Sequence, residues 1–126
     1  MKENYRNLLA WQKAKALALE IYRCTHRFPR DEIYGLSSQM RRAAVSIPSN
    51  IAEGKGRYSQ KELVHFLYQA RGSLLELETQ VSIARDLDYI DLPTFERLEL
   101  ETGELGRILN GLVNRFQGTL RVGPEP

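Results

Sequence analysis

From Ala10 the apolar side chains fall at Ala10, Ala14, Leu17, Ile21, Cys24 and Phe28, in alternating steps of four and three. That alternation keeps one face of an α-helix apolar. Trp11, Ala18, Tyr22 and Thr25 widen the face, while Arg6, Lys13, Glu20 and Arg27 repeat every seven residues on a solvated one. Pro29 follows the seam and predicts a stop near Arg27. A second seam runs Leu36, Met40, Ala43/Ala44, Ile47 and Ile51, bounded by Gly35 and Gly54. Pro48 lies inside it, yet the apolar spacing crosses Pro48 without a change of phase. One kinked helix is therefore expected, two short helices being the alternative.

The third helix has the clearest start. Ser59-Gln60-Lys61-Glu62 reads as a capping box, in which the Ser59 hydroxyl accepts from the Glu62 amide. Leu63, Leu67, Ala70, Leu74, Leu77, Val81 and Ala84 follow it, and the pattern ends near Leu87. Asp91 and Pro93 signal a fourth start, with Phe95, Leu98, Thr102, Leu105, Leu109, Leu112 and Phe116 as its seam. Gly103, Gly106 and Gly111 interrupt that helix, a tolerable cost where helices approach closely. Nothing reads as a strand. Four long amphipathic segments on loops of about four to seven residues predict an all-α, up-down-up-down antiparallel four-helix bundle. Its expected span is residues 1–117, with 118–126 as a flexible C-terminal tail.

Apolar residues also lie off the seams: Leu8, Leu9, Tyr22, Val45, Val64, Tyr68, Leu75, Ile83, Leu100, Ile108, Val113 and Leu120. Some flank the seams and widen the core, but a small bundle rarely hides all of them. A leftover contiguous patch marks a subunit contact, so a closed homo-oligomer is expected.

At 126 residues, 42% apolar and 27% charged, the chain has the size and balance of one soluble globular domain. Its longest apolar run, Ala16 to Leu19, is far short of the roughly 20 residues a bilayer needs. A single cysteine excludes a disulfide framework. Met1-Lys2-Glu3-Asn4 leads straight into polar sequence, so the expected address is the cytoplasm.

The formal charge of +2 hides an asymmetry: residues 1–75 carry 13 Lys/Arg against 6 Asp/Glu, and residues 76–104 carry 2 against 9. Either the basic half meets a polyanion, or the two halves pair within a bundle or between subunits. Two basic groups stand out. Lys55, Arg57 and Lys61 surround the start of the third helix, where a phosphate group can dock; the glycines around Lys55 lack the context of a true nucleotide loop. Arg41 and Arg42, adjacent on the second helix, straddle the seam; they serve either ion pairs with the Glu96–Glu104 cluster or an acidic partner.

Catalytic chemistry is nearly absent. Cys24 lies on an apolar seam, where a cysteine is a small core residue. His26 suits the dipole at a helix C-terminus. Glu62 and His65 have the Glu-x-x-His spacing of di-metal bundles, but the required second copy is missing. No enzyme activity, metal or cofactor is expected.

The run Tyr34-Gly35-Leu36-Ser37-Ser38-Gln39-Met40-Arg41-Arg42-Ala43-Ala44-Val45-Ser46-Ile47-Pro48-Ser49-Asn50-Ile51-Ala52-Glu53-Gly54 resembles the signature of a bacterial four-helix bundle family. That family is encoded within intervening sequences of 23S ribosomal RNA genes. The chain is similar also to accessory proteins of diversity-generating retroelements. Leu9-Ala10-Trp11-Gln12-Lys13-Ala14, Phe28-Pro29 and Glu76-x-Glu78-Thr79-Gln80 match the same pattern, so the likeness spans about residues 5–117. The resemblance implies a barrel-like homopentamer with a basic surface and RNA or DNA binding. In retroelement members it implies association with a reverse transcriptase.

Two function classes follow. One is a nucleic-acid-binding oligomer with Arg41, Arg42, Lys55, Arg57 and Lys61 on phosphates and Lys13, Arg23 and Arg27 as outer contributors. The other is a scaffold or accessory subunit that recognises a protein and touches no nucleic acid.

Overall fold

The computed structural model describes residues 4–120. Four α-helices make up the body: α1 (Leu9–Thr25), α2 (Leu36–Lys55), α3 (Gln60–Asp86) and α4 (Leu92–Leu120). Short 3-10 turns at Tyr5–Asn7 and Arg30–Glu32 accompany them, and no strand occurs among the described residues. α1 packs on α2 and α4, and α3 packs on α2 and α4, so consecutive helices are neighbours and alternate ones lie diagonally. Cross-helix contacts run antiparallel: Lys13 meets Glu104 while Glu20 meets Arg97, and Tyr68 meets Gln117 while Arg71 meets Asn110. The expected four-helix bundle is the fold. Of the anticipated tail 118–126, α4 includes the first residues, and 121–126 lie outside the described residues.

The seams do the burying. Ala10, Ala14, Leu17 and Ile21 of α1 join Met40, Ala44, Ile47 and Ile51 of α2 in one core. Leu67, Leu74, Leu77 and Val81 of α3 and Leu98, Leu105 and Leu109 of α4 complete it. Pro48 sits within an unbroken α2, which decides for one helix over two. Its ring removes one backbone donor, and the flanking buried Ile47 and Ile51 hold the helix together across it.

The helix ends differ in how they are capped. Ser59 Oγ accepts from the Glu62 amide at 3.3 Å, the forward bond of the expected capping box. Asp91 Oδ1 accepts from the Thr94 amide at 2.9 Å and starts α4. α3 stops in a Schellman motif: the Asp88 amide donates to Arg85 O, the Tyr89 amide donates to Ala84 O, and Asp88 stands at φ 63°. The α1–α2 connection, residues 26–35, is longer than loop statistics suggest, because Arg30–Glu32 forms its own turn. Glu32 Oε1 then accepts from the Leu36 amide at 3.0 Å and caps α2 in place of a side chain at Gly35.

α2 and α3 approach most closely at Gly54, where an added Cβ would lie 2.8 Å from Phe66 Cβ and 3.3 Å from Leu63 O. In α4 only Gly106 has a neighbouring helix in contact range, with Leu74 Cδ2 at 3.6 Å; close approach therefore accounts for Gly106 and not for Gly111.

These neighbourhoods predict opposite signs for the same substitution. Gly72→Ala, with open space around the new methyl, should gain about 1 kcal/mol of helix propensity. Gly54→Ala must push α2 and α3 apart and should lose about 1–3 kcal/mol. Urea unfolding of both variants measures the contrast.

Candidate nucleic-acid interface

The five basic candidates do not form one cluster. Arg41 and Arg42 lie in the second turn of α2, near the end of the bundle that carries the α1–α2 connection. Lys55 closes α2, Arg57 follows in the turn and Lys61 opens α3, all at the opposite end. Along a helix rising 1.5 Å per residue, Arg41 and Lys55 are about 21 Å apart.

Arg41 is half-buried and serves packing. Its Nε donates to Thr25 Oγ1 at 2.8 Å, and its guanidinium stacks over the Tyr22 ring at 4.8 Å. The Thr25 hydroxyl in turn donates to Ile21 O at 2.7 Å, so the chain of bonds ties α2 to the last turn of α1. Arg42 is exposed and borders a groove between α2 and α3 with Gln39, Ser46, Ser73 and Glu76. Neither arginine pairs with the Glu96–Glu104 cluster, because α2 and α4 are diagonal in the bundle. One of those acids finds α1 instead: Glu104 takes Lys13 at 3.1 Å, while Arg97 of α4 takes Glu20 of α1 at 3.0 Å. Glu20 also holds Arg23 at 3.1 Å. Two of the outer contributors, Lys13 and Arg23, are thereby neutralised by carboxylates. The first of these pairs joins the basic half to the acidic segment inside one chain.

At the other end the cations gather on aromatic rings. Arg57 lies 4.9 Å over the Phe66 ring and also holds Glu53 at 2.9 Å, an exposed pair of small energetic weight. Lys55 Nζ is 6.0 Å from the Phe116 ring, and Arg115 lies 5.2 Å from the same ring. Lys61 is exposed, and Tyr58, between Arg57 and Ser59, is 94% exposed. His65, exposed one turn into α3, sits against Phe66 with its Nε2 3.1 Å from Gln69 Nε2. Sequence reasoning finds Lys55, Arg57 and Lys61 but misses Arg115, Phe66 and Phe116. For Arg115 and Phe116 the signal was available only through topology, since antiparallel packing sets the end of α4 beside the start of α3.

Reactive chemistry is not assembled here. Burial pushes the Cys24 thiol above its usual range, against the pull of Arg27 and Arg97, so the reactive thiolate is disfavoured. Among the described residues no group of three or more His, Cys, Asp or Glu is placed to hold a metal ion. No helix among them is long and apolar enough to cross a membrane.

The off-seam apolar residues divide. Val64 and Val113 are buried and complete the core, whereas Leu9, Tyr22, Val45, Tyr68, Leu75, Ile83 and Leu100 are exposed. Tyr22, Ile33 and Val45 line a surface groove of about 490 Å³ with Ser38, Arg41, Arg42 and Ser46.

The architecture is that of a small antiparallel four-helix bundle with one basic, aromatic end. The chain belongs to the 23S rRNA-intervening sequence protein family, whose model matches residues 6–111. A crystal structure from Bacteroides thetaiotaomicron, of a protein of unknown function from the S23 ribosomal protein family, shares the fold. It superposes with a TM-score of 0.78 at 20% identity, covering 84% of this chain and 96% of that one. No curated protein matches the chain.

Arg41, packed against α1, and Lys61, on open surface, give contrasting predictions. Arg41→Ala removes a hydrogen bond to a buried hydroxyl and a stack on Tyr22, so it should cost about 1–2 kcal/mol. Lys61→Ala, on open surface, should stay within about 0.5 kcal/mol of the parent. Thermal unfolding distinguishes them.

Glu101 has a buried Oε1 without a hydrogen-bond partner among the described residues. Burial, and then the charge of Glu20, pushes its carboxyl above the usual range. A carboxyl with a raised folded pKa favours folding below its unfolded pKa, and that advantage is lost as pH rises through the folded value. Glu101→Gln should therefore be more stable than the parent at neutral pH, with the gap closing in acid. Unfolding curves across that range check the sign.

Proposed function

We propose that this chain is a non-enzymatic, self-associating bundle that binds RNA or DNA in the cytoplasm through its basic end. Lys55, Arg57 and Lys61 make the phosphate contacts, Arg115 adds a fourth cation, and Arg42 is an outer contributor. Arg41 belongs to the packing of α2 on α1. The observation that carries the reading is three cations on and beside the α2–α3 connection, Lys55 to Lys61, next to exposed or cation-stacked aromatics. Cations of this kind displace the counterions of a polyanion, and the gain falls as salt rises. One protomer offers few contacts. Repeating the patch around a symmetry axis raises the effective affinity without new chemistry. The family resemblance supports a pentamer, and the exposed Tyr22, Leu75 and Leu100 supply apolar surface for association.

The groove of Tyr22, Ile33 and Val45 favours a second reading, in which the bundle is a scaffold or accessory subunit that seats another protein, a reverse transcriptase among the candidates. That reading needs no nucleic-acid contact, and a salt titration separates the two.

Fluorescence anisotropy with labelled RNA and DNA should show binding that weakens steeply with salt. Lys61→Glu and Arg57→Glu should each weaken it, and loss of one contact should flatten the log–log salt slope by about 0.7–0.9. Absence of binding at low salt overturns the nucleic-acid reading in favour of the scaffold. A single protomer's mass in light scattering overturns self-association.

A further inference from the structure

We infer that Tyr58 is a base-stacking platform and that the nucleic acid bound at the basic end is single-stranded; this rests on the nucleic-acid reading above. Two tyrosines of this chain are almost wholly exposed, Tyr34 at 93% and Tyr58 at 94%, one at each end of the bundle. Their surroundings differ in sign. Tyr34 follows the acidic Asp31 and Glu32 in sequence, whereas Tyr58 is bracketed by Lys55, Arg57 and Lys61.

A phosphate backbone drawn to those three cations brings its bases alongside the Tyr58 ring. Stacking there requires a base face that is open. In a duplex each face is covered by the next pair, so a ring on a short turn cannot reach one without unstacking the helix. In a single strand every base presents a face at no such cost, and a ring flanked by cations is the recurring device for holding it.

The shape of the connection supports the same occupant. Lys55 at the end of α2, Arg57 on the turn and Lys61 at the start of α3 flank one short connection between two antiparallel helices, a compact arrangement that suits one backbone better than two strands. Neither a recognition helix nor a β-ribbon stands free to enter a groove, because all four helices are committed to the core. The other aromatics at this end, Phe66 and Phe116, already carry Arg57, Lys55 and Arg115 on their faces. Those rings position the cations, and the exposed Tyr58 stands beside them.

The test uses the full chain with a labelled mixed-sequence single strand, as RNA and as DNA, and the corresponding duplexes. Both single strands should bind more tightly than either duplex. Tyr58→Ala should weaken single-strand binding roughly 5- to 100-fold while leaving the salt slope unchanged, since no charge is lost. Tyr58→Trp should retain affinity, and its fluorescence should be quenched on binding. Tyr34→Ala should bind like the parent. Equal or tighter duplex binding, or parent-like affinity for Tyr58→Ala, overturns the stacking inference and leaves the phosphate contacts standing. A parent chain that binds none of the four probes overturns both.

Discussion

Burial of the aliphatic seam shared by α2 and α3 is the constraint from which the surface features follow. Ile47 and Ile51 on one side, with Leu63, Leu67 and Ala70 on the other, are all buried. Gly54 lets the helices close at their shared end, where Phe66 and Leu63 fill the space a side chain would take. Further along, the Ser46 and Ser73 hydroxyls share a hydrogen bond of 2.8 Å, and Asn50 donates back to Ser46 O. Two helices held this near need only residues 56–59 to connect them. A turn that short has no room to fold its side chains inward, so the charges and the ring it carries are held outward at the end of the bundle. The same seam holds α2 together across Pro48, which an isolated helix would accommodate only by kinking or breaking.

Much of the fold was legible because a period of alternating four and three leaves little choice about which side chains face inward. Every α3 seam position from Leu63 to Ala84 is buried. What the pattern hides is which helix lies opposite. Arg41 can be read as lying at an edge of the seam, but its partners Thr25 and Tyr22 follow from α1 being its neighbour. The acids of α4 seemed equally available from the sequence, and the square arrangement puts them across a diagonal. Val64 and Val113 were indistinguishable from Leu75 and Leu100 as off-seam residues. Their burial depends on where adjacent helices happen to cover the flank of the stripe.

The site was half legible for the same reason. Lys55, Arg57 and Lys61 are close in sequence, so any fold that makes this turn keeps them together. Phe116 and Arg115 join them from some fifty residues away, and only the antiparallel return of α4 makes that association. Charge asymmetry along the chain was a weaker guide than it looked. Lys13 and Glu104 do pair across the two halves, but Arg97 and Glu20 pair with the signs exchanged. Segment totals average over faces that point in different directions.

The polarity of the bundle has a local origin in how its helices begin. α2 and α4 start at the same end, and each takes a carboxylate as its cap: Glu32 on the Leu36 amide and Asp91 on the Thr94 amide. The Leu36 amide and then the Tyr89 hydroxyl hold the Glu32 carboxyl below its usual range, and the Thr94 side chain and then its amide do the same for Asp91, which keeps both charged. α1 and α3 start at the opposite end without a carboxylate cap. Leu8 offers no side-chain acceptor to α1, and α3 is capped by the neutral Ser59 hydroxyl. Glu62 in the first turn of α3 is an acid near that helix start, and Glu53 is already held by Arg57. The starts of α1 and α3 therefore share the end that carries Lys55, Arg57 and Lys61 with the negative C-terminal ends of α2 and α4, while the helix starts at the other end are met by carboxylates within the chain. The phosphate contacts proposed for Lys55, Arg57 and Lys61 lie at the end whose helix starts lack carboxylate caps.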